Sequence, residues 1–461
     1  MSPLTTLVCT TVPLLRKPYS LYLNRADDTP ELVLNHVRYP HLQKTGLSGF
    51  PILHGEHSPQ NVALYAFTLG ACTGLAMGLS WMDYVSCAWG GYFALVSLGM
   101  VLEYISRAIM KQEEGLRSFL LPGSAWENAL LLLGPVELAI EQSLFGRFAS
   151  IPTVTSIGVL LAIFAQNIRT ISLLELSGNP ENRSAAKRAE LALSVWRVAV
   201  QVVLCNPLCL AAYFMSETPA GSEPQPAQPE MAFGPFGLPI FDGEHTPQNI
   251  AAYAYLLGCA HGFGVAVGLV SPNIPGLGFF IAMLALFHTL EYICTAMYRT
   301  DVKMSSFLLN QSREYHLAMT AGIVEYLAWY LIFPSLKIFH WWNWLALYGV
   351  AASQTLRSAA MITAGSNFTH IVAEEKHSTH TLVTNGIYSV FRHPSYTGFF
   401  YWGVCMQILL ANPICTLGYT AALWRFFHDR IADEELTLLR FFGSDYEEFR
   451  SKTKVFIPFI A

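Results

Sequence analysis

Eight runs of largely apolar residues set the pattern of the chain, at 61–80, 84–109, 125–145, 151–174, 249–270, 279–297, 317–336 and 342–364. Each approaches or exceeds the roughly 20 residues that cross a bilayer as a helix. A ninth run, Phe399 to Phe427, is broken by Asn412-Pro413. Each of its halves, about 13 residues, rises only about 20 Å as helix, less than the hydrocarbon core, so the pattern predicts a tight helical hairpin packed among the spans. The stretch after it, Trp424 to Gly443, is amphipathic at helical spacing and places Arg430 and Glu434 four residues apart on one face.

The runs come in two sets. GEHSPQNVALYA at Gly55 returns as GEHTPQNIAAYA at Gly243, nine of twelve positions being identical (243 − 55 = 188). The same offset relates Leu102-Glu103-Tyr104 to Leu290-Glu291-Tyr292, Glu137 to Glu325, Gln166 to Gln354 and Arg169 to Arg357. Beyond the fourth span the sets rejoin at Trp196, Gln201 and Asn206-Pro207 against Trp402, Gln407 and Asn412-Pro413, now 206 apart. The first set is therefore 18 residues shorter before its hairpin (206 − 188) and has no counterpart of the tail after Trp424.

The expected fold is all-α, a polytopic integral membrane protein with two tandem copies of a four-span plus helical-hairpin unit. Residues 1–50 form a poorly defined cytosolic lead-in, 51–215 a degenerate membrane repeat, 216–242 a Pro-rich linker and 243–461 the unit that carries the extra segment.

Composition agrees with a membrane setting: 53% hydrophobic, 13% charged, mean hydropathy +0.37. The net charge is −5 and the basic residues are spread among loops, which excludes a nucleic-acid-binding surface. Nine cysteines lie singly, without metal-ligand spacing, and read as packing residues; no metal is expected. Lys and Arg concentrate after the second and fourth spans of each copy, which places those loops, the linker and the C-terminus in the cytosol.

In both opening motifs Ser58 or Thr246 precedes a proline, the pattern of an N-cap followed by Pro at the first helical position. His57 and His245 are read as structural, because the first copy keeps its His without the later segment. Glu103, Glu137, Glu291, Glu325, Arg169 and Arg357 are functional candidates by virtue of lying in spans; their recurrence favours pairing between helices. The segment His380 to Trp402 is different. It concentrates His, Arg and Tyr around an Asn385-Gly386 turn and an Arg392-His393-Pro394 run, whereas a plain aromatic belt at a membrane surface needs neither.

At these residues the chain resembles the isoprenylcysteine carboxyl methyltransferase family, from about Ala359 to Ile460: AAMITAGSNFTHIV, HSTHTLVTNGIYSVFRHPSYTGFFYWG, ANPIC, WRFFHDRIADEE and FIPFI. The resemblance implies an endoplasmic-reticulum membrane enzyme with its active site facing the cytosol. It would use S-adenosylmethionine and act on prenylated protein C-termini while in contact with membrane lipid. It implies that His380, Thr381, Leu382, Val383, Tyr388, His393, Pro394, Ser395 and Tyr396 contact the cofactor, that Glu434 helps hold it, and that Arg430 binds the substrate carboxylate. One departure is Ala373, where the family commonly has Gln. Two other readings stay open: a nicotinamide-dependent sterol reductase with a similar Arg-His-x-x-Tyr hairpin, and a non-enzymatic binder of prenylated tails.

Overall fold

The computed structural model describes residues 51–53, 57–85, 87–109, 115–119, 152–178, 182–204, 240–299, 301–369 and 381–460. The lead-in, the expected span at 125–145 with Glu137, nearly all of the linker, Ala373 and His380 lie outside them. The described residues hold eleven α-helices and one isolated parallel bridge, Phe391 to Lys454. They are α1 Pro59–Trp81, α2 Cys87–Ile109, α3 Pro152–Gly178, α4 Arg183–Leu204, α5 Pro247–Val270, α6 Pro275–Tyr298, α7 Arg313–Ile332, α8 Trp341–Ala364, α9 Pro394–Leu409, α10 Pro413–Phe442 and α11 Ser444–Lys452. Two compact units divide between Cys259 and Ala260, inside α5.

Among the described residues four helices, within α1, α2, α5 and α6, are long and apolar enough to cross a membrane. Outward-facing Leu269, Leu317, Leu331, Tyr348 and Leu417 are each more than three-fifths exposed, as suits side chains bathed in lipid. These observations describe a multi-pass membrane protein.

In the first unit α1 packs on α2, and α3 and α4 pack closely together and against α2. Fully buried Trp196 lies in a cluster of small and aromatic residues that includes Ala88, Tyr92, Ala162 and Ala165. Arg169 of α3 donates Nε and Nη2 to the two oxygens of Glu103 on α2 at 2.8 and 2.9 Å, and Nη1 to Ala189 O on α4.

The second unit repeats this joint 188 residues on. Arg357 of α8 donates Nε and Nη2 to Glu291 of α6 at 2.5 and 2.8 Å. Both pairs are buried, so each charge needs the other to offset its desolvation. The stack of Tyr104 on Phe119 likewise recurs as Tyr292 on Phe307, both with centroids 4.0 Å apart. At both joints the span carboxylate, Glu103 or Glu291, links two helices, as its recurrence suggested.

Ser58 stands at the N-cap with Pro59 opening α1, as the motif suggested, but its hydroxyl makes no cap hydrogen bond. The following asparagine secures the helix start: Asn61 Oδ1 accepts from Leu53 N, and Asn249 Oδ1 from Phe241 N. Leu53 and Phe241 both take positive φ, 56° and 57°, to make this reach.

The hairpin is present as α9 and α10. Sixteen-residue α9 spans about 24 Å, short of a full crossing. Its tip is pinned: Lys337 Nζ donates to Leu410 O, Ala411 O and Asn412 Oδ1 at 2.8–2.9 Å. Glu325 of α7 accepts from Ile414 N and Cys415 N at the start of α10, where unpaired helix N–H groups and the dipole favour an anion. The second arm and the amphipathic stretch are one continuous 30-residue helix, not two elements. The end of that helix therefore continues the direction of the hairpin's second arm.

Candidate functional site

Pro394 opens α9 and, with its fixed φ and missing N–H, holds His393 at the N-cap and the preceding residues out of the helix. The Asn385-Gly386 turn before it uses a Gly φ of 57° and is followed by a short 3₁₀ turn, Gly386–Ser389. Asn367, just after α8, ties down the start of the segment: its Oδ1 accepts from Thr381 N at 2.9 Å and its Nδ2 donates to Thr381 Oγ1 at 3.2 Å.

α9 and α10 bring four of the expected residues together. Tyr396 stacks on His393 with centroids 5.6 Å apart and planes 13° from parallel. The Tyr396 hydroxyl donates to Glu434 Oε2 and accepts from Arg430 Nε at 3.2 Å. The Arg430 guanidinium also lies 5.9 Å from the Tyr396 ring centre, and His393 Nδ1 is 4.0 Å from Glu434 Oε1. Arg430 and Glu434 thus meet at Tyr396, which a solvated surface pair would not do. The Glu434 side chain keeps a quarter of its surface exposed, whereas His393 is buried. Tyr388 is half-buried; its phenol is pushed above its usual range, first by burial and then by the Glu434 charge.

The remaining expected residues have other surroundings. Thr381 is exposed, and Leu382 and Val383 are half-buried. Ser395 is buried and its hydroxyl accepts from Arg357 Nη1 at 2.9 Å, so it anchors the segment to the Glu291–Arg357 joint. His380 lies outside the described residues.

Beneath this surface sits a residue that sequence reasoning missed. Glu435, buried, is ion-paired with Arg392, its Oε1 2.6 Å from Nε, and with Arg450 at 3.2 Å, and lies 3.4 Å from His393 Nε2. Burial pushes its carboxyl upward, but the contact with His393 and the charges of Arg392, His393 and Arg450 outweigh that and hold it below the usual range. Its signal was readable: Phe427, Ile431 and Glu435 recur every four residues and form the buried stripe of α10, so an acid stands on an apolar face.

Arg392 also donates to Arg450 O and Thr453 O, Thr397 Oγ1 to Val455 O at 2.5 Å, Tyr401 to Phe456 O, and Trp424 Nε1 to Pro458 O. The closing residues are a strap that binds α9 to α10.

A carboxylate that is partly open to solvent, beside stacked aromatic faces, suits a cationic ligand. A neighbouring guanidinium suits a carboxylate. The cluster can therefore seat two ligands of opposite charge side by side.

A sequence model described as the isoprenylcysteine carboxyl methyltransferase family matches residues 344–440, the span that holds this cluster. Protein-S-isoprenylcysteine O-methyltransferase of Xenopus laevis is 45% identical over 213 residues, 46% of this chain and 74% of that protein. The Homo sapiens protein of the same name is 42% identical over 213 residues, covering 75% of its length. The Saccharomyces cerevisiae one is 44% identical over 221 residues, covering 91%. A solved structure of a eukaryotic intramembrane Ras methyltransferase aligns over 98% of its chain and 67% of this one, at 31% identity and a TM-score of 0.46. With identities above two-fifths across about three-quarters or more of each of these relatives, the chain belongs to the isoprenylcysteine carboxyl methyltransferase family.

Proposed function

We propose that this protein methylates the C-terminal prenylcysteine α-carboxylate of prenylated proteins, with S-adenosylmethionine as donor, at the cytosolic face of the endoplasmic-reticulum membrane. The observation that carries the reading is the meeting of Arg430 and Glu434 at the Tyr396 hydroxyl, beside His393.

The residues fit both ligands. Glu434, with the Tyr396 and His393 faces, would hold the cationic sulfonium and amino groups of S-adenosylmethionine, and Thr381, Leu382, Val383, Tyr388, Pro394 and Ser395 would frame it with His380. The bound cofactor supplies an electrophilic methyl group. Arg430 holds the substrate carboxylate through a planar fork that does not deprotonate. That carboxylate is ionised at neutral pH, so no general base is needed. The chain's contribution is to position the carboxylate, which is worth several kcal/mol in intramolecular analogues, and to exclude water from it. Tyr396 sets the distance between the two ligand-holding groups.

The continuity of α10 supports a substrate path in which the prenyl chain stays among the spans while the carboxylate reaches Arg430 at the membrane surface. In this reading residues 243–461 are the working unit, and 51–215 a tandem copy without the cofactor segment. Loss of the terminal negative charge would let the product bind anionic lipid more firmly.

Purified protein saturated with S-adenosylmethionine and tested for binding by mass spectrometry checks the donor. Retention of a nicotinamide cofactor in its place would overturn the reading in favour of a reductase.

A further inference from the structure

We propose that α1 occupies, on the start of α5, the place that a second copy of that helix would take, so that the chain pairs these two helices with each other rather than with another chain. This is independent of the methyl-transfer reading.

The contact lies within the first compact unit, which holds α1 and α5 as far as Cys259. A Cβ added at Gly70 would sit 2.1 Å from Tyr255 O and 2.9 Å from Cys259 N. A Cβ added at Gly258 would sit 2.1 Å from Phe67 O and 2.9 Å from Ala71 N. The offset of 188 turns Phe67, Gly70 and Ala71 into Tyr255, Gly258 and Cys259. Each glycine therefore meets the equivalents of the residues that flank the other, at the same separations. Residue i touching j while j touches i is the mark of an isologous, two-fold contact. It arises here inside one chain.

Both helices carry Gly-x-x-x-Gly, at Gly70 and Gly74 and at Gly258 and Gly262. Such spacing lets two backbones approach closely in lipid, where packing rather than the hydrophobic effect drives helix association. The spacing alone would be common to many membrane helices; the mirrored contacts show that Gly70 and Gly258 are used at this crossing.

One contact breaks the symmetry and selects the partner. Thr73 Oγ1 and the Tyr255 hydroxyl lie 3.0 Å apart in a buried setting. The equivalents are His261 for Thr73 and Phe67 for Tyr255. Two copies of α5 would place His261 where Thr73 stands, and two copies of α1 would have no phenol hydroxyl. The Thr–Tyr bond therefore favours α1 on α5 over self-pairing of α1, which has no phenol at that position.

The test places cysteines at Thr73→Cys and Tyr255→Cys in the full chain, treats membranes with a short bifunctional thiol reagent, and compares the single variants as background for the native cysteines. The expected result is a cross-link that needs both substitutions and leaves the protein at the mass of one chain. A link found at the mass of two chains, or none in a double variant with wild-type melting, would overturn the proposal. Native mass spectrometry of the unmodified chain is the second measurement. The expected species is a single chain; a homodimer that Gly258→Leu separates would show the α5 face bound to another copy and would also overturn it.

Discussion

At the scale of residues, what each charged group touches decides the effect of replacing it. Arg430→Lys keeps the charge but loses the planar fork, so the expected outcome is a rise of about tenfold or more in KM for a prenylcysteine substrate, about 1.4 kcal/mol, with S-adenosylmethionine affinity unchanged. Glu434→Gln is expected to do the reverse, weakening cofactor binding by calorimetry while sparing substrate affinity. Glu435→Gln is a different case. It removes the carboxylate charge that buried Arg392 pairs with, and removing one member of a buried pair costs about 3–5 kcal/mol, so the expected loss is in thermal stability in detergent. Arg430 and Glu434 were legible because their spacing put them on one helix face beside a segment with unusual chemistry. Glu435 was passed over because adjacent acids in an amphipathic stretch read as solvated, although its four-residue spacing from Phe427 and Ile431 puts it on the apolar stripe.

At the scale of elements, the helices and the break at Asn412-Pro413 followed from the length of the apolar runs and from proline. The merging of the hairpin arm with the exit stretch did not, since nothing local stops a helix between Leu423 and Arg425 and only the change from lipid to water suggested a boundary. The pin at the hairpin tip was equally hidden: Lys337 bonds acceptors more than seventy residues away. Lys337→Met strands several buried acceptors at about 1–3 kcal/mol each, and a lower unfolding temperature with reduced activity is the expected outcome. The turn before α5 should respond to acid. Burial lowers the pKa of His245 to about 4, below the unfolded value of about 6.5. The unfolded chain therefore binds the extra proton between those values, so this contribution to stability is present above about pH 6.5 and is lost as pH falls toward 4. His245→Gln is expected to flatten that part of the stability profile.

At the scale of the whole molecule, the repeat supplies an internal control. The Glu–Arg joint, the Tyr–Phe stack and the Asn-secured helix start recur 188 residues apart, whereas the Arg-His-Pro-Ser-Tyr run stands only in the second set. What recurs joins helices, and the Arg-His-Pro-Ser-Tyr run is where the proposed chemistry would sit. The sequence could show that two similar units exist, because identity at a fixed offset is visible without a structure. It could not show the mirrored contact of Gly70 and Gly258, since which helix faces meet is decided by packing. Deleting residues 55–215 removes α1 from that contact and is expected to lower stability and yield in membranes.

The most direct measurement is transfer of a tritiated methyl group from S-adenosylmethionine to a farnesylcysteine analogue, read as a base-labile ester. The expected result is incorporation by the intact chain and none by His393→Ala or Arg430→Ala variants that melt like the parent. No incorporation by folded protein saturated with S-adenosylmethionine, or full activity in the His393 variant, would contradict the account.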